Sequence, residues 1–211
     1  MKQAVVLVHG LFRSSSDMTF LHQYLKKQGY VVFCPDFPTT LGSLVECSKI
    51  LSIFMSSLNL APGDKLHLIG HSMGGLIIRH CLASRTINPL GRCVLIATPN
   101  QGTFLADAAS KFLGHWPINP FSSLASLRTS ADPIAKPVNS PPPDIGVIAG
   151  NHSNLLLGRL LKSQNDGRVE VQATKFDEMK DFIVLPFGHH DIHHHHKTAS
   201  LVDFFLKNGT F

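Results

Sequence analysis

The 211-residue sequence predicts an α/β protein built on a parallel sheet with helices on both faces. Three observations predict it. Six short apolar runs of strand length recur along the chain, continuous rather than alternating, as befits strands buried on both faces. Segments with helical spacing of apolar residues lie between them. Apolar residues make up 44% of the chain and charged residues 16%, which is enough for a sizeable core. At roughly 150 residues per domain, the length fits one domain over 1–211 carrying a modest insertion.

The elements follow in order. The first strand covers 4–8 and runs into His9-Gly10. A helix over 17–28 ends at Gly29, a C′ glycine, and a strand follows over 30–34. The spacing of Leu44, Cys47, Leu51, Phe54 and Leu58 predicts a helix over 43–58 with one apolar stripe. A strand over 65–69 and a helix over 73–84 are separated by a very tight turn. Strands over 92–97, 144–149 and 181–185 follow, and a helix over 198–207 turns Leu201, Val202 and Phe205 inward. A repeating βα order implies right-handed crossovers and a doubly wound sheet. Residues 103–143 break the rhythm with short apolar helical pieces and a Pro-rich run from Pro137 to Pro143. The stretch is too long for an ordinary loop, so an insertion over one edge of the sheet is expected.

Composition excludes several classes. The net charge is +5 and the pI about 9.1, but the basic residues are scattered and the longest cluster is Lys26-Lys27. No nucleic-acid partner is expected; a weak attraction to anionic surfaces is. No apolar run approaches the roughly 20 residues of a membrane span. The run at 4–8 is too short for a secretory h-region, so a cytoplasmic location is expected. The sequons at Asn151 and Asn208 are then expected to stay unmodified. Cys34, Cys47, Cys81 and Cys93 form no CxxC pair and are expected as free thiols of a reducing compartment, not as a zinc site.

Four segments carry chemistry. In Gly70-His71-Ser72-Met73-Gly74-Gly75 a serine stands between a strand and a helix with glycine two residues to either side. A sharp turn there lifts the serine hydroxyl clear of the sheet, and Gly70 and Gly74 lie too close to it to bear side chains. The helix beginning at Met73 offers backbone N–H groups to an oxyanion. The second segment, His9-Gly10-Leu11-Phe12, ends the first strand. Its glycine lets the chain turn, so the backbone N–H groups of Leu11 and Met73 are the expected oxyanion hole, with Phe12 as the fallback donor and pocket residue. His9 reads as structural, because a base would follow the serine in the chain.

The third segment is Asn165-Asp166-Gly167-Arg168-Val169. On local sequence it is an Asp-Gly turn. Chain order makes Asp166 the acid, since an elbow serine is followed by an acid and then a histidine. Asp144, Asp177 and Asp181 sit at strand starts or helix positions, away from the strand C-termini where such sites lie. The fourth segment, Leu185-Pro186-Phe187-Gly188-His189-His190, follows the last strand. Histidine suits a base because its pKa lies near 6.5. His189 is the first candidate and His190 the second. The run His193 to His196 would form i, i+4 pairs with His189 and His190 if helical. No HExxH pattern or suitably spaced carboxylate accompanies it, so a solvated run without metal is expected.

These segments together resemble the α/β-hydrolases, and among them the small bacterial lipase-like and esterase-like members. The likeness covers nearly the whole chain. It rests on Val8-His9-Gly10-Leu11 with Arg13 to Met18, on Gly29-Tyr30, on Asp36-Phe37-Pro38-Thr39 and on Gly70 to Gly75. It continues through Thr98-Pro99-Asn100-Gln101-Gly102-Thr103, Asn165 to Val169, Leu185 to His189 and the closing helix before Phe205-Leu206. The resemblance implies the α/β-hydrolase fold: a three-layer sandwich around a mostly parallel sheet of about six strands, the minimal form, with a small helical lid. It implies a triad of Ser72, Asp166 and His189, no metal and no cofactor, and a small-molecule or lipid ester as substrate. The Pro186 to His189 spacing favours His189 over His190. Residues 103–143 stand where similar proteins carry a lid, and Phe12, Phe104 and Trp116 are the expected pocket residues. Esterases, lipases, thioesterases, amidases and acyltransferases share this fold.

Overall fold

The computed structural model describes residues 1–107, 127–153, 158, 161 and 163–211. Six strands form one sheet: β1 (Gln3–Val8), β2 (Val31–Phe33), β3 (Lys65–His71), β4 (Leu90–Ile96), β5 (Ile145–Gly150) and β6 (Asp181–Leu185). Their order is β2-β1-β3-β4-β5-β6, and every neighbouring pair is parallel. All six lie where the apolar runs predicted them. β2, on the sheet edge with β1 as its one neighbour, is shorter than expected.

Among the described residues, the sheet is flanked by the helices α1 (Thr19–Lys27), α2 (Leu44–Ser57), α3 (Met73–Ser84) and α4 (His196–Asn208). The expected helix over 17–28 is divided, because a short 3₁₀ turn (Ser15–Met18) precedes α1. At the start of α2, Ser43 accepts from Glu46 N and Glu46 accepts from Ser43 N. This reciprocal box fixes where the helix begins.

Alternation along β1 sorts the core into two layers. Ala4, Val6 and Val8 face α2 and α3 and pack with Cys47, Leu51, Leu76 and Ile77. Val5 and Leu7 face α1 and α4 and pack with Leu21, Leu25, Val202 and Phe205. Both sets are buried, which explains the continuous apolar runs of the central strands; the edge strands β2 and β6 are only half-covered. The result is a three-layer sandwich, as expected. The chain leaves β1 toward β2 at one edge, then returns to start β3 on the other side of β1. That reversal lies between β1 and β3, and the C-terminal ends of strands at such a reversal form a natural crevice.

Candidate active site

Ser72 sits in that crevice. β3 continues to His71 and α3 starts at Met73, so a single residue makes the entire turn. Its backbone is held at φ 54, ψ −124, a region that costs a non-glycine residue about 1–3 kcal/mol. The amide of Ser72 donates to Ile96 O at 2.8 Å, which ties the turn to β4. The flanking glycines are steric necessities. A Cβ on Gly70 would lie 2.5 Å from the Gly75 nitrogen, and one on Gly74 would lie 2.1 Å from Val8 O.

Ser72, His189 and Asp166 form one hydrogen-bonded chain, although they stand far apart in sequence. His189 Nδ1 lies 2.8 Å from Asp166 Oδ2, and His189 Nε2 lies 3.0 Å from Ser72 Oγ. A carboxylate only accepts, so Nδ1 carries the proton and Nε2 presents its lone pair to the serine hydroxyl. All three residues are buried. His190, the second candidate, accepts instead from Arg13 Nη2 through Nδ1 at 2.6 Å.

The turn around Asp166 explains how the carboxylate is aimed. Its Oδ1 accepts from the amides of Arg168 at 2.9 Å and Val169 at 2.7 Å, leaving Oδ2 for the histidine. Gly167, at φ 96, takes the left-handed conformation this turn demands. Sequence reasoning missed the residues that brace it. Thr103 Oγ1 donates to Arg168 O at 2.7 Å, and Asn165 Oδ1 accepts from Gly167 N at 2.8 Å. Farther out, Asn100 accepts from Arg79 Nη1 at 3.1 Å and donates to Thr174 O. Arg79 in turn lies over the Phe176 ring. The Thr98 to Thr103 segment was the available signal.

The turn after β1 is fixed from two sides. His9 Nδ1 donates to Gly10 O at 3.1 Å, while His9 Nε2 accepts from Phe37 N at 3.0 Å. Thr39 Oγ1 also donates to Gly10 O. Both ring nitrogens of His9 are occupied, in keeping with its structural reading. Burial holds its pKa below the usual value. A Cβ on Gly10 would lie 3.1 Å from Ser72 Cβ, so this turn packs directly on the serine. The Met73 side chain is buried in the core, so the main chain is what this residue presents at the turn.

A cavity of about 240 Å³ opens above Ser72 and His189. Leu11 and Phe12 line it, with Leu105, Ala106, Leu127 and Val169 on the apolar side. Phe104 is half exposed and is not among its lining residues. Trp116 lies outside the described residues, as does most of the apolar part of the expected lid.

The histidine run is not wholly solvated. His194 and His196 are exposed, but His193 is buried and stacks on His71 with ring centroids 3.8 Å apart. The run also departs from a single helix, since His194 ends a 3₁₀ turn and His196 begins α4. His193 Nε2 donates to Asp17 Oδ2 at 3.1 Å, and His71 Nε2 donates to His189 O at 3.0 Å. Asp17, His71 and His193 therefore bring ligand-type atoms within 4.8 Å of one another. The two rings lie only 26° from parallel, however, so their nitrogens do not converge on one point unless a ring rotates. Burial, then the neighbouring histidines, hold the His71 pKa well below its usual value. The four cysteines are free, and burial pushes the Cys93 thiol up to about 12. Among the described residues no helix is long and apolar enough to cross a membrane.

The fold has many relatives among solved structures. The mature form of the Bacillus licheniformis lipase BlEst2 superposes with a TM-score of 0.82 at 21% identity, covering 100% of this chain and 93% of that one. The phospholipase PlaB from Legionella pneumophila gives 0.69 at 19% identity, covering 90% of this chain and 53% of that one. The carboxylesterase CesB from Bacillus subtilis gives 0.61 at 14% identity, covering 100% and 85%. Likeness at such identity is likeness of fold. Compared by sequence with curated proteins, the chain has no match. The sequence pattern of the Alpha/beta hydrolase family matches residues 5–196, and by that match the chain belongs to the alpha/beta hydrolase family.

Proposed function

We propose that this chain is a serine hydrolase of carboxylic esters that works through an acyl-enzyme on Ser72. The observation that carries the reading is the continuous hydrogen-bonded chain from Asp166 through His189 to Ser72, at 2.8 and 3.0 Å, opening on a cavity. In this reading Ser72 Oγ attacks the ester carbonyl and its proton passes to His189 Nε2. Asp166 holds the imidazole in the right tautomer and stabilises the imidazolium that forms. The negative oxygen of the tetrahedral intermediate is received by the N–H groups of Leu11 and Met73. Each such donor is worth roughly 3 kcal/mol in the transition state. Met73 suits the role as the first residue of α3, where N–H groups have no acceptor within the helix.

The intermediate collapses as His189 gives its proton to the departing alkoxide, and the alcohol leaves. A water molecule then attacks the acyl-enzyme with His189 again taking the proton, and the acid departs. No metal or cofactor enters this scheme. Phe12 belongs to the acyl pocket, and of the expected lid over 103–143 the residues Leu105, Ala106 and Leu127 stand in its wall, whereas Val138 and Asn139 lie against Leu82 and Ile87, away from Ser72. The lipases and esterases of similar fold support an ester substrate. The test is hydrolysis of p-nitrophenyl esters of graded acyl length by the purified protein beside Ser72→Ala. Turnover by the native chain and loss of it in the variant are expected. Equal rates in both would overturn the reading.

A further inference from the structure

Two arginines reach the same cavity, and the reaction above uses neither. Arg13 lies just past the turn that holds Leu11, and Arg168 lies two residues past Asp166. Both are exposed, and both line the cavity together with His190. They mark its mouth, while Leu11, Leu105, Ala106 and Leu127 make its walls apolar.

The charges at this mouth are poorly balanced. Arg13 meets Asp17 only at 3.9 Å, and Asp17 is already engaged by the His193 hydrogen bond at 3.1 Å. Arg168 has no ion-pair partner. The described residues include all 14 Asp and Glu of the chain, and none brings a carboxylate oxygen within 4.0 Å of it. Partial desolvation of the guanidinium where it meets the cavity, then the neighbouring Arg13 charge, lowers the Arg168 pKa. His190 adds a third donor. Its Nδ1 accepts from Arg13, so the ring proton of the neutral form sits on Nε2. Burial, then the Arg168 charge, holds its pKa below the usual value.

We infer that Arg13, Arg168 and His190 form an anion subsite, and that the ester cleaved at Ser72 carries a second, negatively charged group, a carboxylate or a phosphate. Two guanidinium groups that repel one another gain most from an anion placed between them. Their planar forks suit the paired oxygens of either group. The apolar walls then take the hydrocarbon between the charge and the scissile bond. The substrate half of this inference rests on the ester-hydrolase reading, whereas the anion half does not.

The test compares charged and neutral esters of matched size. One pair is mono-p-nitrophenyl glutarate against p-nitrophenyl pentanoate, and the other is a 1-acylglycerol 3-phosphate against the uncharged 1-acylglycerol. At least one charged member should be favoured by about tenfold in kcat/KM, and the pair that responds tells carboxylate from phosphate. Arg168→Gln should lower that charged-to-neutral ratio by about tenfold. No preference for charge, or a ratio unchanged by Arg168→Gln, overturns the substrate inference. If the native chain cleaves none of the four, the ester reading fails by itself, and binding decides the subsite. Inorganic phosphate and glutarate are titrated calorimetrically into the native chain and into the Arg13→Gln/Arg168→Gln double variant. Binding of either anion that the double variant loses supports the subsite. Binding to neither chain, or equally to both, overturns it.

Discussion

His189 and Asp166 are joined twice. Nδ1 of the histidine meets Oδ2 of the aspartate at 2.8 Å, and the His189 amide donates to the Asp166 main-chain oxygen at 2.9 Å. The backbone bond fixes where the histidine loop lies against the acid turn. The side-chain bond then sets the imidazole tautomer.

That division of labour predicts the effect of Asp166→Asn. The amide oxygen can still accept from the Arg168 and Val169 amides, and the backbone bond is untouched. The amide nitrogen, however, turns a donor toward Nδ1 and drives the imidazole proton onto Nε2. With no lone pair facing Ser72, kcat should fall by about 10⁴. Circular dichroism and the melting curve should stay near those of the native chain.

The strained backbone at Ser72 predicts a split between two inactive variants. Ser72→Ala and Ser72→Gly both remove the hydroxyl and its bond to His189. Only glycine tolerates φ 54, ψ −124 without strain. Ser72→Gly should therefore be more stable than Ser72→Ala by about 1 kcal/mol, after the entropic cost of glycine is subtracted. Equilibrium denaturation in urea measures the difference.

Acid should weaken the fold before it protonates most carboxylates. His67 is buried, accepts from Arg92 N through Nδ1 at 2.9 Å and bonds Gln3 Oε1 through Nε2 at 2.8 Å. Burial is the chief cause that lowers its pKa to about 4 from 6.5. Below pH 6.5 the unfolded chain takes up a proton that the folded chain refuses. Stability therefore falls as pH drops from about 6.5 to about 4, and the loss from this one group levels off at about 3 kcal/mol. Melting temperatures measured across that interval should decline with a shallower slope in His67→Asn than in the native chain, whatever the absolute stability of the variant.

The sheet was legible because its central strands β1, β3, β4 and β5 are largely buried on both faces, which leaves unbroken apolar runs in the sequence. The elbow was legible because a serine between a strand and a helix with glycine two residues to either side is a local pattern; the crowding at Gly70 comes from Gly74 and Gly75 of the same turn, whereas that at Gly74 comes from Val8 on β1. Asp166 was distinguished by chain order, since an Asp-Gly turn looks alike wherever it occurs. What stayed hidden depends on contacts between distant segments. His193 looked solvated because Asp17 and His71, which bury it, lie far away in sequence. The Thr98 to Thr103 segment drew notice, but not which turn Thr103 holds, because its acceptor is a main-chain oxygen that any residue at 168 would supply. Phe104 suited a pocket by type, but one step of helix places Leu105 and Ala106 in the cavity wall and leaves Phe104 half exposed.

The proposed reaction stands on Ser72 being a nucleophile activated by His189. The most direct measurement is mass spectrometry of the intact chain and its peptides after treatment with a fluorophosphonate, which bonds to activated serines. A single adduct is expected on the peptide containing Ser72, absent in Ser72→Ala and much slower to form in Asp166→Asn. No adduct on the native chain, or an adduct on another residue that persists in Ser72→Ala, would contradict that reaction.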